Sequence, residues 1–363
     1  MLELPLPRPD PITPPPAHDA LRRESPVARV KTVAGPAWLV TSADLAVSAL
    51  SDPRLSVTPP GVEVDVRASL FQDGPAHARL RRLVAGAFRP ARIAEMRGRL
   101  DALASSYVDR VVEAGPPVDL VDVLAAPLPI AVIGDLVGIS RLDEFRVLVD
   151  AALAVDPMTA DAAPAWDSLG AFVESLVTER RAVPSDDLLG DLIAVRDTAD
   201  GRLSDEELVA LVQVLVAAGA LTVRNALVQA VVRSVSSGRF AALATADVSA
   251  VVEDVIRQAG VEPFPRFAVT DLVLGGVEIA AGSMVLVSLE AANHDPARTA
   301  THLGFGHGPH YCLGAALARA QLCAVLPVLA RRLPGLRLDV PVASIPWFRG
   351  FVDHGPLALP VSW

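Results

Sequence analysis

Cysteine is almost absent from this chain: Cys312 and Cys323 are the only two in 363 residues. That excludes a disulfide framework, and a reducing cytoplasm is the compartment such usage suits. The pair lies eleven positions apart on or beside one helical element and is not expected to meet. Aromatic residues are few, sixteen in all, so a strongly stacking pocket is not indicated. Basic charge is outnumbered, with a formal net of -10, which argues against nucleic acid as a partner. No apolar run reaches membrane-spanning length. The longest, Leu208 to Leu221, has fourteen residues and includes Gln213, which suits a buried core helix and no membrane partner. Internal repeats and linkers are missing too. The thirty-one prolines are scattered, apart from a cluster between Pro5 and Pro16. This cluster has no basic-then-apolar organisation of the signal-peptide kind. It reads as a proline-rich arm over residues 1–20, ordered to frayed, on a single domain spanning 1–363. Hydrophobic residues make up 52% of the chain, enough for one large core.

The patterns that are present favour helix, with a minor sheet. Val27 to Val33 and Ala37 to Thr41 alternate as a hairpin around Gly35-Pro36, and Ser42 reads as the cap of a helix running to about Leu50. Ile93, Met96, Leu100, Leu103, Tyr107 and Val111 recur at steps of three and four. They predict one amphipathic helix, stopped by Gly115. Ser204-Asp205-Glu206-Glu207 is a capping box, and the helix it opens meets no breaker before Gly238. Such a helix is roughly 45–50 Å long and must cross the whole molecule. Another helix carries Val251 to Gln258. Arg266 to Leu289, punctuated by Gly275-Gly276 and Ala281-Gly282, reads as a small β-meander. Helix returns from Leu313 to Arg332, and proline and glycine break the tail into short strands.

Chemistry is concentrated between Phe305 and Gly314, in Phe-Gly-His-Gly-Pro-His-Tyr-Cys-Leu-Gly. A cysteine just before a helix meets positive dipole and unpaired N–H groups, which favour the thiolate. Gly306 and Gly308 permit a tight turn around the sulfur, and Gly314 lets the helix approach a flat ligand closely. Phe305 is placed to shield the sulfur from water. An isolated cysteine at a helix start is more often a small buried side chain, but here several fixed positions coincide.

The segment resembles, residue for residue, the heme-binding loop of cytochromes P450, Phe-Gly-x-Gly-x-His-x-Cys-x-Gly. The similarity runs over nearly the whole chain, in the style of soluble bacterial members. It implies a mainly α fold with a minor β-sheet, in which a long central helix crosses over a heme, here heme b. It implies Cys312 as the iron ligand and His310 as a partner of a heme propionate, with Phe305, Gly306 and Gly314 completing the loop. His77-Ala78-Arg79-Leu80-Arg81 matches the family's His-x-x-x-Arg helix, whose two cations, one turn apart on one face, pair with propionates. Arg266, entering the meander, looks like the third propionate partner. Ala218-Gly219-Ala220-Leu221-Thr222 matches the oxygen-binding segment. There a small residue leaves room over the iron and Thr222 donates a hydrogen bond toward dioxygen. Alone, a mid-helix threonine would bond its own backbone. Asp156 to Pro164 lies where the family's access lid begins.

The chain departs from the family pattern in three places. Leu221 stands where an acid normally precedes the threonine. The Glu-x-x-Arg pair appears as Asp254-Val255-Ile256-Arg257, with Glu253 able to compensate by pairing with Arg257 at i,i+4. Only eight residues, Ala297 to Gly304, separate Asp295-Pro296 from Phe305, and Arg298 is the candidate for the arginine that completes the family's structural triad. The resemblance implies a monooxygenase-like heme-thiolate oxidoreductase acting on a small molecule in specialised natural-product biosynthesis. Its co-substrate would be O2, and a ferredoxin-type electron donor would be drawn by Arg79, Arg82, Arg89 and Arg319 around the proximal side of Cys312. Two other readings are a P450-like auxiliary protein that activates a glycosyltransferase and a P450 performing oxidative coupling or other non-hydroxylating chemistry. The intact loop favours an enzyme, because a helper that needs no heme has little reason to keep Cys312, His310 and both glycines.

Overall fold

The structure, a computed structural model, describes residues 2–63, 69–139, 141–153, 163–183, 187–196, 203–258, 264–297, 301–349 and 354–363. Short strands β1 (Leu2–Glu3), β2 (Val27–Thr32), β3 (Gly35–Val40) and β4 (Leu55–Ser56) open the chain, with α1 (Ala17–Glu24) and α2 (Ala43–Ser51) among them. A helical body follows: α3 (Gly74–Ala85), α4 (Pro90–Glu95) and α5 (Arg97–Ala114), then strand β5 (Val118–Asp119) and α6 (Pro127–Val137). It continues through α7 (Leu142–Leu153), α8 (Ala163–Ala182), α9 (Leu188–Arg196), α10 (Asp205–Ser236) and α11 (Val248–Gln258). Next come β6 (Phe264–Ala268), β7 (Leu272–Leu274), β8 (Val277–Ile279), β9 (Met284–Val287), α12 (Leu289–Asn293) and α13 (Ala315–Arg332). The tail holds β10 (Arg337–Leu338), β11 (Trp347–Arg349), β12 (His354–Pro356) and β13 (Pro360–Ser362).

α10 is the axis of the molecule. Its capping box closes in both directions: the Glu207 amide donates to Ser204 Oγ at 3.1 Å, and the Ser204 amide donates to a Glu207 carboxylate oxygen at 2.9 Å. Its 32 residues span roughly 48 Å. By length and hydropathy it could cross a membrane. Yet α6, α8, α11 and α13 pack around it, and its buried side chains include Asn225 and Gln229, so it is a core helix. Leu211, Val228 and Val231 join Phe145, Leu169 and Leu326 in the main apolar core.

The six-stranded sheet has the order β1-β2-β3-β9-β6-β4. Its hairpin runs in register from Val27 opposite Val40 to Thr32 opposite Gly35. The turn is therefore Val33-Ala34, and Gly35-Pro36, expected to lie in the turn, already belongs to β3. The expected meander ends at Val287, because Ser288 caps α12 by accepting the Ala291 amide at 3.2 Å. The single amphipathic helix expected from Ile93 to Gly115 is two. Met96, with ψ near −7°, closes α4 and opens α5 while its own side chain is buried. Both helices bury the same side, so the apolar spacing carries across a break in the backbone.

The proline-rich arm is docked along its length. Arg8 pairs with Glu290 of α12 at 2.6 Å, both side chains largely buried. Arg233 of α10 donates to the Ile12 carbonyl at 2.6 Å, and Arg22 to that of Ala291 at 2.6 Å. Of the expected lid, residues 156–162 lie outside the described residues, and Pro164 is in the first turn of α8.

Candidate functional site

Between α12 and α13 the backbone folds into a tight loop around Cys312. The Cys312 amide donates to the Phe305 carbonyl at 2.9 Å, and those of Gly306 and Tyr311 to Leu303 and Gly308 at 2.7 and 3.0 Å. Gly306 and Gly308 sit at φ +72° and +71°, a region open to glycine. A β-carbon on Gly308 would also lie 2.7 Å from the Leu50 carbonyl oxygen, so α2 and the loop meet only because that position is bare. Gly314 leads into α13, and a β-carbon there would stand 3.9 Å from Cys312 Sγ, in ordinary contact. The Gly314 amide donates to the sulfur. The helix start was expected to lower the thiol pKa. Cys312 is accessible from the open side of the loop, but protein crowds it elsewhere, and this burial pushes the thiol up. The Gly314 amide and the charges of Arg81 and Arg319 pull the other way without prevailing.

Above the loop, α3 and β6 bring basic side chains together. His77 and His310 stack with ring centroids 4.2 Å apart, and Arg81 donates to the Tyr311 carbonyl at 2.6 Å. Arg266 is buried on β6. Among the described residues, the carboxylate that meets this group is Asp73. Asp73, at the N-cap of α3, spends its oxygens away from the helix: on His310 Nε2 at 2.8 Å, Ser56 Oγ at 2.7 Å and the Val57 amide at 2.8 Å. Burial works against its charge, but these bonds outweigh it and hold the carboxyl well below the usual range. Burial, then the charges of His310 and Arg81, lower His77 to about 4. Asp73 was not anticipated from the sequence. Its signal was there as an acid before Gly74-Pro75, a helix start with proline at N1/N2, but its partner His310 is 237 residues away.

On α10, Ala218 and Thr222 are exposed although the helix runs through the core, so they line an internal opening; Leu221 beside them is half-buried. Thr222 Oγ1 donates to the Ala218 carbonyl at 2.7 Å. Gly219, expected to make room over an iron, instead meets α6: its β-carbon would lie 2.7 Å from Ile133 Cδ1. Gly219 serves helix packing, and Ala218 and Thr222 are the residues that face the opening.

No protein-family model matches the chain. It is 37% identical to the mycinamicin IV hydroxylase/epoxidase of Micromonospora griseorubida, over 95% of this chain and 94% of that protein. It is 35% identical to the cytochrome P450 monooxygenase PikC of Streptomyces venezuelae, over 96% and 90%. The chain belongs to the cytochrome P450 family. A solved structure of Streptomyces peucetius CYP105P2 with a biphenyl compound superposes with a TM-score of 0.91 at 32% identity, covering 100% of this chain and 99% of that one. The P450 fold, mostly helical with a small sheet, is thus shown, and with it an oxidoreductase of the monooxygenase type in specialised metabolism. P450s carry heme. The residues here fit one: an accessible thiol on a glycine-built loop, and beside it the basic side chains of His77, Arg81, Arg266 and His310, a donor set suited to carboxylates.

Two expectations about the P450 proximal side are corrected. Arg79 does not join a free basic patch, because it pairs with Glu207 of the α10 capping box. Arg319 is held by Glu253, so Arg82 and Arg89 are the exposed members of the expected set. Nor does Glu253 pair with Arg257: its carboxylate accepts from Arg319 at 2.5 and 2.9 Å and meets His302 Nε2 at 2.9 Å. Arg298 lies outside the described residues.

Proposed function

We propose that Cys312 ligates the iron of one heme b in a single catalytic domain spanning the chain, and that the enzyme hydroxylates or epoxidises a large, weakly polar natural product in the cytoplasm. The convergence of the Cys312 loop with the His77, Arg81, Arg266 and His310 cluster carries this reading. In it, His77, Arg81, Arg266 and His310 bind the propionates, Gly306 and Gly314 shape the loop, and Phe305 covers the sulfur. When bound, the heme supplies the redox chemistry by which one atom of dioxygen enters the substrate and the other leaves as water, consuming two electrons and two protons. Ala218 keeps space beside the opening, and Thr222 orients a proton there through its hydroxyl.

The substrate class rests on the apolar side chain of Ala218 at the opening, with Leu221 beside it, and on relatives named for mycinamicin IV and 6-deoxyerythronolide B. Electrons come from an acidic ferredoxin steered by Arg82 and Arg89, on α3 and at the start of α4. The test is a titration of the heme-loaded protein with a macrolactone panel, followed by turnover with ferredoxin, its reductase and NADPH. A saturable Soret shift and an oxygenated product are expected from at least one macrolactone. Binding restricted to small charged compounds would overturn the substrate class.

A further inference from the structure

The family's Glu-x-x-Arg positions, Asp254 and Arg257, are not joined here. Asp254 is exposed and accepts from Gln258 at 2.6 Å, one turn along the same helix. Arg257 is exposed, and its guanidinium has no hydrogen bond or ion pair among the described residues. The neighbouring acid is engaged instead. Glu253 takes both its oxygens to Arg319, and the Arg319 guanidinium lies 4.4 Å from the centroid of the Phe305 ring. Arg319 also bonds the Tyr311 side chain. His302 completes the cluster. Its Nδ1 accepts the Gly304 amide at 3.1 Å, so the other nitrogen carries the proton and donates to Glu253 at 2.9 Å. From Phe305 the chain of contacts reaches the Cys312 amide directly.

We propose that Glu253, Arg319 and His302 are the positioning residues that press Phe305 against the thiolate in this chain, in place of Asp254 and Arg257. Glu253 orients the fork of Arg319 from α11, Arg319 covers the outer face of Phe305 from α13, and His302 fixes Glu253 from the other side. His302 stands two residues before Gly304, the neighbour of Phe305, and so meets Glu253 from the loop side. Glu253 and His302 act through Arg319 and Phe305, and Arg319 adds its own charge beside the thiol.

The inference rests on heme ligation by Cys312. Its test uses heme-loaded Glu253→Gln, Asp254→Asn, Arg257→Gln, Arg319→Lys and Arg319→Ala, read by the fraction of the ferrous–CO form in the thiolate band and by the rate of heme transfer to apomyoglobin. Glu253→Gln and Arg319→Ala should lose most of the thiolate band and release heme about tenfold faster or more, with Arg319→Lys intermediate. Asp254→Asn and Arg257→Gln should stay within about twofold of wild type, well below that second-shell effect. If Glu253→Gln folds too poorly to purify, Arg319→Lys carries the test, since it keeps the charge; wild-type behaviour in that variant overturns the inference. So does an Asp254→Asn defect as large as that of Arg319→Ala. A wild-type protein without the thiolate band refutes heme ligation itself, whereas a normal wild-type band with unaltered Glu253 and Arg319 variants refutes only the positioning role.

Discussion

At Leu221 one side chain decides how protons reach the opening. Thr222 can orient a single proton, but its hydroxyl already donates to Ala218. The leucine beside it can neither donate nor hold water, and an apolar side chain there excludes a water chain. Turnover with oxygen and reductant should therefore be slow or poorly coupled unless the substrate brings a polar group. Leu221→Asp, assayed for oxygen consumed and product formed together, should raise the coupled fraction. Peroxide, which carries both protons and both electrons, should partly restore activity to wild type. Fast, fully coupled turnover of an apolar substrate by wild type would refute this account. A second residue-scale contrast concerns the loop glycines. Gly308→Ala meets both a positive φ and the Leu50 carbonyl, and should cost about 1–3 kcal/mol in heme-free unfolding. Gly314→Ala finds only ordinary contact near Cys312 and should leave the fold within about 0.5 kcal/mol. Equal losses in denaturant titrations would show that the loop relaxes freely.

Among the elements, local chemistry was legible and distant partnership was not. The capping box announced α10, and alternation announced the β2/β3 hairpin, because each signal lies within a few residues of what it controls. Met96 hid a helix break because the apolar stripe on α4 and α5 faces one core across it. Glu253 was expected to choose Arg257 at helical spacing, but Arg319 on α13 offers two bonds and an aromatic shelf at once. Likewise the Cys312 loop could be read as a motif, while Asp73 became visible only when folding brought it to His310. The capping box itself can be tested. Ser204→Ala should cost about 1 kcal/mol, seen as a lower denaturant midpoint with an unchanged slope. Glu207→Ala should cost more, because Glu207 also holds Arg79 and so ties α10 to α3; a smaller loss than Ser204→Ala would break that link.

Across the whole molecule, the docked arm leaves a pH signature. His18 is buried on α1, and burial first, then the charges of Arg22 and Arg8, lower it from 6.5 to about 4. Between those values the unfolded chain binds a proton that the folded chain refuses, so stability falls as pH drops through the window. The loss is at most about 3 kcal/mol. His18→Gln should reduce the difference between unfolding at pH 7 and pH 5 without abolishing it, because His77, also lowered to about 4, adds the same dependence; an unchanged slope would assign the dependence elsewhere. The proximal face predicts a kinetic signature. Ferredoxin reduction rates should fall with salt, and Arg82→Gln and Arg89→Gln should slow encounter while Arg79→Gln, engaged with Glu207, should not. Reduction rates flat across ionic strength would contradict steering. The central claim, that Cys312 holds a heme iron through its thiolate, is tested most directly by the absorption spectrum of the reduced protein under carbon monoxide. Wild type and Cys323→Ser should show the red-shifted Soret band of thiolate ligation, and Cys312→Ser should lose it. A wild-type protein that lacks the band and refuses added hemin, or a Cys312→Ser variant that keeps it, would contradict the claim.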